Sequence, residues 1–507
     1  MSVVTVQVGQ CGNQIGASLF QALLDHARSS PAGNGSTAAE GDSEQARSAC
    51  RRSFFRDDGV ARAVIVDTEP KVIQRIVATH SRGAGDSTRE TGPETGHQCT
   101  PREGTGITEK GRGNVRAGDA DEGGKWRYDS ATQVCCHAQG GAANNWAYGY
   151  HSHGATFTEA CLDGVRRETE SRCDRLAGLC VLHSLAGGTG SGLGTRLTEE
   201  LRDYLPSAFV MNTVVCAHSS GEVILQNYNT LFTLSKLAKC SDGILVVENE
   251  AATVVCRRLL RLERPSHADL NKVICSGLVG ALTPAATATG SDTNTAAVGG
   301  GGVLLHLGEK LTHLCPNKDF VFLRASVVPQ IPDTSRAFTS NSWEALTRRA
   351  YQMHVTGSLA DLDLDWRKKA SYGAGAGVGL NQSVASLLTF HGVAAREAGR
   401  GRGAAVEPPP PSPDCFRSRG LYAGWSSTPF MECHSPLRLL GHDRAISVLS
   451  NSQAVLGVLE TAVGRSRGMY DAGAYVHQYA QFGAERDDFE EAFLGVEQAI
   501  ENYRSLG

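Results

Sequence analysis

The residues best suited to chemistry form a glycine-rich turn, LAGGTGSGLGT, over positions 185–195. An apolar run, LCVLHSL, precedes this turn, and an amphipathic helical pattern follows from Leu193. Backbone N–H groups at a strand-to-helix turn donate to anions, and glycine lets an anion come close to them. The hydroxyls of Thr189 and Ser191 add uncharged donors. The run from Gly187 to Gly192 therefore predicts a phosphate-binding loop without lysine, rather than an ordinary tight turn.

Two common nucleotide motifs do not fit the turn. A P-loop requires GxxxxGK followed by Ser or Thr, and the turn contains no lysine. The dinucleotide fingerprint requires GxGxxG, but after Gly188 and Gly190 the third glycine position holds Leu193. A dehydrogenase is therefore the least favoured nucleotide-binding hypothesis.

Short apolar runs that alternate with helical patterns must position this loop. They read VVTVQV, AVIVD, LCVLHSL, AFVMNTVVC and GILVVE. Such alternation is typical of βαβ units that build a mainly parallel sheet. Because each run is apolar on both faces, helices are expected on both sides of the sheet, with ligands at the carboxyl ends of the strands.

The rest of the chain predicts a second unit and a helical end. A long central helix is expected from Ala268 to about Leu282, within a segment bounded at 267–284. The pattern over 303–450 predicts an intermediate α/β domain, and 451–507 predicts helices. One apolar stripe in the last segment has helical spacing and predicts a docking face: Phe489, Phe493, Val496, Ile500 and Tyr503.

Four segments of low hydrophobicity interrupt this pattern, at 29–49, 80–124, 285–302 and 395–413. They are rich in Gly, Ser, Thr and Pro, and they contain too few apolar residues to offset the entropy lost on ordering. We interpret them as surface insertions.

Composition limits the function classes. A chain of 507 residues that is 41% hydrophobic fits two or three domains, and a net charge of −4 argues against a nucleic-acid partner. The 15 cysteines include no CxxC pair, which predicts reduced thiols in a cytosolic protein. Since no basic N-terminal region precedes an apolar segment and no apolar run approaches eighteen residues, neither secretion nor membrane insertion is predicted.

Four motifs together resemble the tubulin family in order and placement. They are GQCGNQIG at 9–16, VDTEP at 66–70, ANNWAYGY at 143–150 and AGGTGSG at 186–192. The resemblance covers nearly all of the chain outside the insertions. It implies a tubulin/FtsZ-like α/β fold, with a Rossmann-like parallel-sheet GTP-binding domain over 1–266. The motifs SNSQAVL and AYVHQYAQFG, the alanine at 186, and the ending ENYRSLG without an acidic run indicate the delta branch of that family.

The resemblance also implies GTP or GDP with Mg²⁺ as ligands. It places Gln10 near the phosphates and magnesium, Gln14 near the base, and Glu69 at a magnesium-bound water. The remaining implied contacts are Cys11 in the first loop; Ala143 and Asn144 on the γ-phosphate and ribose side; Ser184, Gly187, Gly188, Thr189 and Gly190 in the glycine loop; Glu222 and Gln226 at the ribose; Asn249 and Asn271 at the guanine edge; and His267 stacked on the base. Gly141 departs from the family, because alpha-tubulin has an aspartate there.

Tubulins hydrolyse GTP in trans, when a carboxylate of one subunit reaches the nucleotide of its neighbour. The segment EKLTHLCP places Glu309 at that carboxylate, where it is expected to orient the attacking water. Leu304 and His306 stand where Asn and Asp are usual, so an exposed helix glutamate remains the alternative interpretation of Glu309.

Two functional hypotheses follow from the resemblance. The favoured one is a GTP-binding structural subunit that works with alpha- and beta-tubulin in the triplet microtubules of centrioles and basal bodies, and hence in cilia. The alternative is a self-assembling filament GTPase. Neither hypothesis includes a nucleic-acid or membrane partner.

Overall fold

A computed structural model describes residues 1–29, 37–81, 125–135, 141–218, 224–288, 303–332, 334–335, 341–362, 364–368, 379–393 and 410–506. The elements up to the central helix are β1 (Ser2–Val8), α1 (Gly9–Arg28), α2 (Thr37–Phe54), β2 (Ala63–Asp67), α3 (Pro70–Ser81), β3 (Gln133–Cys135), α4 (Gly154–Arg172), β4 (Leu176–Ser184), α5 (Gly194–Tyr204), β5 (Val210–Cys216), α6 (Gln226–Cys240), β6 (Gly243–Glu248), α7 (Asn249–Val254) and α8 (His267–Leu282).

The second part of the chain mixes strands with helices and ends in three helices. Its elements are β7 (Ala285–Thr287), β8 (Leu304–Leu305), α9 (Leu307–Leu314), β9 (Phe322–Val328), α10 (Trp343–Thr356), β10 (Ser383–His391), β11 (Phe430–Ser435), β12 (Ala445–Ser452), α11 (Leu456–Asp471), α12 (Val476–Ala480) and α13 (Arg486–Arg504). The predicted central helix is therefore confirmed as α8.

The N-terminal half of the sheet is parallel and follows the order β3–β2–β1–β4–β5–β6. This is the doubly wound order of dinucleotide-binding folds, in which the chain moves outward from β1 in one direction and then in the other. Ligands in such folds bind outside the carboxyl ends of the two strands where the direction reverses. In this chain those strands are β1 and β4, and the glycine loop directly follows β4.

The sheet continues across the predicted boundary of the GTP-binding domain. Ile244 and Leu245 of β6 pair in parallel with Phe322 and Leu323 of β9. Beyond β9 the order is β12–β10–β11–β7–β8, with both antiparallel and parallel pairs. The second unit is thus mixed, as its sequence pattern predicts.

Helices cover both faces of the parallel sheet because the strands carry apolar residues on both sides. Val3 of β1 packs in the core that α1 and α8 complete, whereas Val4 and Val6 pack with residues of α4 and α5. All seven residues of β1 are buried. The prediction of strands covered on both faces is confirmed.

The C-terminal helix docks through the predicted stripe. All five residues of that stripe are buried in α13. They share one hydrophobic core with Leu231 and Phe232 of α6. The C-terminal helices therefore lie against an element of the N-terminal half.

Two of the predicted insertions contain regular structure that composition did not reveal. Helix α2 begins within 29–49 and extends beyond the end of that segment. Its later residues Cys50 and Phe54 are buried in the core, with 1% and 0% of their surface exposed. Strand β7 occupies the start of 285–302 and pairs with β11 and β8. Nearly all of 80–124 and most of 395–413 lie outside the described residues.

Among the helices that the structure describes, none combines the length and the apolar character needed to cross a membrane.

Candidate nucleotide site

Two helix N-termini meet at the carboxyl ends of β1 and β4. Helix α1 begins at Gly9, and a helical segment begins with the π-turn Thr189–Leu193 and continues as α5. Neither N-terminus has a side-chain cap, since the preceding residues are Val8 and Gly188. The first N–H groups of a helix have no partner within the helix, and they carry partial positive charge. Their convergence creates a place for an anion between two strands.

Glycine is required where the two loops touch. Gly9 has a φ of +73°, and a Cβ at this position would lie 3.0 Å from the backbone nitrogen of Gly190. A side chain at Gly9 would therefore strain the backbone and push the loops apart.

The segment 141–149 supports the glycine loop from the other side. A Cβ on Gly188 would lie 2.4 Å from the carbonyl oxygen of Ala142. Ala143 and Asn144 are exposed and have φ values of 48° and 54°. Two successive left-handed residues are unusual for side-chain-bearing positions. The conformation turns this exposed tip next to the loop that is predicted to hold the phosphates.

Hydroxyls fix the glycine loop in two ways. The hydroxyl of Ser184 accepts the N–H of Ala186 at 3.1 Å, which shapes the start of the turn. Ser191 departs from its predicted role as a phosphate donor, because it is buried and its hydroxyl donates to the carbonyl oxygen of Gly187 at 2.6 Å. A serine inside a helical turn commonly bonds back to the carbonyl four residues earlier. Its role in this structure is to hold the loop.

The acidic loop after β2 touches the glycine loop directly. The hydroxyl oxygens of Thr68 and Thr189 lie 2.7 Å apart, within hydrogen-bond distance. Asp67 accepts the N–H of Glu69 on one carboxylate oxygen at 3.0 Å, while the other oxygen is buried and has no hydrogen-bond partner among the described residues. Burial, with a smaller contribution from the nearby charge of Glu69, raises the pKa of Asp67 to about 6.

The surroundings of Glu69 fit a hydrated magnesium ion. Its carboxylate is exposed, and a Cβ on Gly141 would lie 2.8 Å from one of its oxygens. The part of the chain that the structure describes holds no group of three or more His, Cys, Asp and Glu that could bind a metal. Magnesium usually takes only one or two protein carboxylates, together with phosphate oxygens and waters. Glu69 is suited to that kind of site.

Helix α8, which carries His267 and Asn271, packs against α1, which carries Gln14, and against α7, which begins at Asn249. Helices α1 and α8 pack side by side, and the Cys275 thiol lies 3.8 Å from the carbonyl oxygen of Ile15. Cys11, near the start of α1, packs against the large hydrophobic core to which Leu270 of α8 and Ala252 of α7 also belong. Burial raises the pKa of the Cys11 thiol to about 12, so this thiol is neutral.

The polar residues predicted around the base and ribose differ in exposure. Asn249 and Asn271 are half-buried at the starts of α7 and α8, and His267 is exposed at the first residue of α8. Gln226 is buried at the start of α6 and donates to the carbonyl oxygen of His218 at 3.4 Å. Glu222 lies outside the described residues. Among the predicted first-loop residues, Gln10 is exposed and Gln14 is half-buried.

Two grooves of the described surface lie outside the converging loops. A groove of about 460 Å³ lies between α4 and α5 and contains none of the predicted nucleotide contacts. A second, of about 330 Å³, includes Gln226 and Glu248 beside α11. The chemistry of the converging loops, rather than cavity size, identifies the candidate site.

Glu309 lies at the opposite end of β4. A Cβ on Gly308 would be 3.3 Å from the carbonyl oxygen of Ala177, and one on Gly178 would be 3.1 Å from the side chain of Leu307. Both contacts are at the amino end of β4, while Ser184 leads into the glycine loop at the carboxyl end. Six residues of extended strand span about 20 Å. Glu309 therefore cannot reach a nucleotide bound at the loops of the same chain.

A capping box fixes the Glu309 side chain. Its carboxylate accepts the N–H of His306 at 3.0 Å, and the His306 side chain caps the N–H of Glu309 in return. The carboxylate is nevertheless exposed at the first turn of α9. The neighbouring Lys310 is 1% exposed and donates to the carbonyl oxygens of Ala281 and Thr283 at 2.9 and 2.7 Å. These bonds tie α9 to the end of the central helix.

Sequence reasoning missed the residues that join the loops to each other. Asn229 of α6 bonds to both 141–149 and the glycine loop, and Tyr479 of α12 bonds to Asn229. Thr68 was not singled out within VDTEP. Motif spacing carries little signal for these residues because their partners come from distant parts of the chain.

Comparison with known proteins agrees with this geometry. Residues 2–257 match the Tubulin/FtsZ family, GTPase domain. The whole chain is similar to the whole of the tubulin delta chain of Mus musculus, with 31% identity, and to that of Homo sapiens, with 29% identity. It is also 25% identical to the tubulin beta chain of Porphyra purpurea over 97% of this chain and 89% of that one.

Proposed function

The chain belongs to the Tubulin/FtsZ family and is delta-like, and on that premise we propose that it is a GTP-binding subunit of centriolar and basal-body triplet microtubules. In this proposal GTP or GDP binds with Mg²⁺ across the carboxyl ends of β1 and β4. The observation that carries it is the convergence of two uncapped helix N-termini at Gly9 and Gly190. Such an arrangement suits a polyphosphate without a lysine.

Different residues of the chain would contact the phosphates, the magnesium ion and the base. Backbone N–H groups of the glycine loop and of α1 donate to the phosphates, and the exposed tip at Ala143 and Asn144 lies on the γ-phosphate side. Glu69 would hold magnesium through a water molecule, and the ion would neutralise phosphate charge. Asn249 and Asn271 offer the paired donor and acceptor that distinguish guanine from adenine.

Hydrolysis, in this proposal, needs a second subunit. Glu309 lies about 20 Å from the loops of its own chain, as the length of β4 requires. In a head-to-tail contact it instead faces the nucleotide of the neighbouring subunit, where its carboxylate orients the attacking water and accepts a proton from it. Alpha- and beta-tubulin are the proposed longitudinal partners.

The test measures GTP turnover and GTP occupancy of the purified protein, alone and with alpha/beta-tubulin. The informative variant is Glu309→Gln, because glutamine retains the capping box but cannot accept the proton. Glu344→Gln is the matched control, since Glu344 is also exposed in the first turn of a helix. We expect stimulated turnover to fall about 100-fold or more in Glu309→Gln only, with GTP still bound.

Other outcomes separate the parts of the proposal. A wild-type protein that binds no GTP contradicts the nucleotide site itself. Bound GTP with no turnover under any condition leaves a nucleotide-stabilised structural subunit and removes the catalytic role of Glu309. GTP-dependent pelleting of the pure protein favours the self-assembling filament. A tagged chain that is absent from centrioles and basal bodies of ciliated cells contradicts the proposed location.

A further inference from the structure

One buried side chain joins three parts of the molecule. Asn229, on the first turn of α6, is 0% exposed. Its amide nitrogen donates to the carbonyl oxygens of Asn144 at 2.8 Å and Ala186 at 2.5 Å. Its amide oxygen accepts the N–H of Trp146 at 2.9 Å. Asn229 thus holds the 141–149 segment at a fixed distance from the glycine loop.

The fourth bond of Asn229 comes from the C-terminal part of the chain. The hydroxyl of Tyr479 donates to the amide oxygen of Asn229 at 2.6 Å. An amide side chain has two donors and two acceptor sites, so these four bonds use its full capacity. A second link runs alongside, because Asn145 donates to the carbonyl oxygen of Gln478 at 3.1 Å.

Aromatic packing holds this C-terminal part in place. The ring of Tyr479 lies 5.4 Å from that of Tyr228, 5.7 Å from Phe232 and 5.6 Å from Phe489. Phe232 in turn stacks on Trp146 at 4.7 Å. The residues 474–484, here called the α12 segment, therefore dock rigidly on the elements that carry the two loops.

We propose that Asn229 and Tyr479 are positioning residues that set the spacing of the two phosphate-side loops, so that docking of the α12 segment controls GTP affinity. The inference rests on the proposed GTP site and adds a C-terminal determinant to it. Loss of the Tyr479 hydroxyl leaves Asn229 short of one partner inside the protein. The loops then lose a defined spacing although no group that touches the nucleotide has changed.

The chain contains a matched control for this pair. The hydroxyl of Tyr503 also donates to a buried asparagine, the amide oxygen of Asn451, at 2.6 Å. Asn451 likewise donates to two carbonyl oxygens, those of Leu314 and Phe320. Both tyrosines and both asparagines are 0% exposed. The partners of the second pair lie away from the nucleotide loops.

The experiment compares Tyr479→Phe with Tyr503→Phe in the full chain. The dissociation constant for GTP with Mg²⁺ is measured by filter binding, and thermal unfolding is measured without nucleotide. We expect Tyr503→Phe to lose at least as much stability as Tyr479→Phe, because the Tyr503 hydroxyl also accepts the N–H of Phe322 at 3.0 Å. Only Tyr479→Phe should weaken GTP binding, by about 3- to 10-fold, the equivalent of one hydrogen bond. An unchanged constant in Tyr479→Phe, or equal changes in both variants, would overturn the inference.

A second measurement covers the case in which Tyr479→Phe does not fold. Hydrogen exchange of the wild-type protein should then show that GTP protects residues 476–484 together with 186–192. Unchanged exchange in 476–484 contradicts the inference while leaving the GTP site intact. Failure of the wild type to bind GTP contradicts the proposed function, and with it the inference.

Discussion

The two ends of β4 use helix N-termini in opposite ways. At the carboxyl end, α1 and the helical segment from Thr189 begin without side-chain caps, and glycines bring their N–H groups together. At the amino end, α9 begins with a complete capping box in which Glu309 takes part. Open N–H groups suit a ligand that supplies the missing acceptors, whereas a capped helix holds its own side chain in a fixed position.

In the proposed function, each end of β4 is half of a shared site. The carboxyl end offers donors for an anion, and the amino end offers an exposed carboxylate. Because the length of β4 separates them, the two ends can meet only when chains contact one another head to tail. The relation agrees with a family whose members include tubulin chains.

The largest effect on GTP affinity is expected from a substitution in the glycine loop at the carboxyl end of β4. In Gly188→Ala the new methyl group would lie 2.4 Å from the carbonyl oxygen of Ala142 and 2.6 Å from the backbone nitrogen of Asn145. Backbone cannot move aside as a flexible side chain can, so the 141–149 segment must separate from the glycine loop. We expect GTP affinity to fall about 10- to 100-fold in equilibrium dialysis.

Gly464→Ala is the control for that substitution. Gly464 lies within α11, and a Cβ there meets no atom within 4 Å. Alanine at an open helical position is expected to stabilise the fold slightly and to leave GTP binding unchanged. Equal affinities in Gly188→Ala and the wild type would mean that the contact of the two loops does not shape the site.

A second, intermediate effect concerns pH and the amino end. Burial lowers the pKa of Lys310 from 10.5 to about 8. Below pH 8 the lysine is charged in both the folded and unfolded states, and burying that charge destabilises the fold. Between pH 8 and 10.5 only the unfolded state holds the proton, so folding stability rises with pH.

The measurement compares the wild type with Lys310→Met in urea. Relative to this variant, the free energy of unfolding of the wild type should increase by about 2 kcal/mol between pH 7 and 10. GTP binding should stay unchanged in Lys310→Met, since Lys310 lies at the end of the sheet away from the loops. A constant difference across this range would show that Lys310 has an ordinary pKa in the folded protein.

Local sequence patterns predicted the parallel half of the sheet, because each of its strands is a short run of apolar residues that is buried on both faces. The glycine loop was equally predictable, because the hypothesis that it binds phosphate depends only on residues that are adjacent in the sequence. Helix α2 was not predicted, because Cys50 and Phe54, the buried residues that hold it against the core, lie beyond the low-complexity segment. The hydrogen bond between Asn229 and Tyr479 joins residues 250 positions apart, and motif spacing cannot predict a contact over that separation in the sequence.

Roles within the loop were harder to predict than the loop itself. Thr189 and Ser191 both carry hydroxyls, and nothing in GGTGSG distinguishes them. The helical turn decides the difference, because it directs the Ser191 hydroxyl back to the carbonyl oxygen of Gly187. Thr189 instead faces the acidic loop, where it meets Thr68.

The smallest expected effect comes from removing the contact between the Thr68 and Thr189 hydroxyls. Thr68 is 1% exposed, and its hydroxyl oxygen lies 2.7 Å from that of Thr189. Thr68→Val keeps the shape of the side chain but removes the bond between the acidic loop and the glycine loop. A hydrogen bond that contributes about 0.5–1 kcal/mol, the lower part of the usual range, corresponds to GTP with Mg²⁺ binding about 2- to 5-fold more weakly.

Thr347→Val separates this effect from a general loss of stability. Thr347 is also buried, and its hydroxyl donates to the carbonyl oxygen of Trp343 at 2.7 Å within α10, far along the chain from the loops. Calorimetric titration should therefore detect weaker GTP binding in Thr68→Val alone. If both variants bind GTP with equal affinity, the threonine contact between the two loops does not contribute to binding. The affinity of the carboxyl end of β4 for GTP must then come from the uncapped helix N-termini alone.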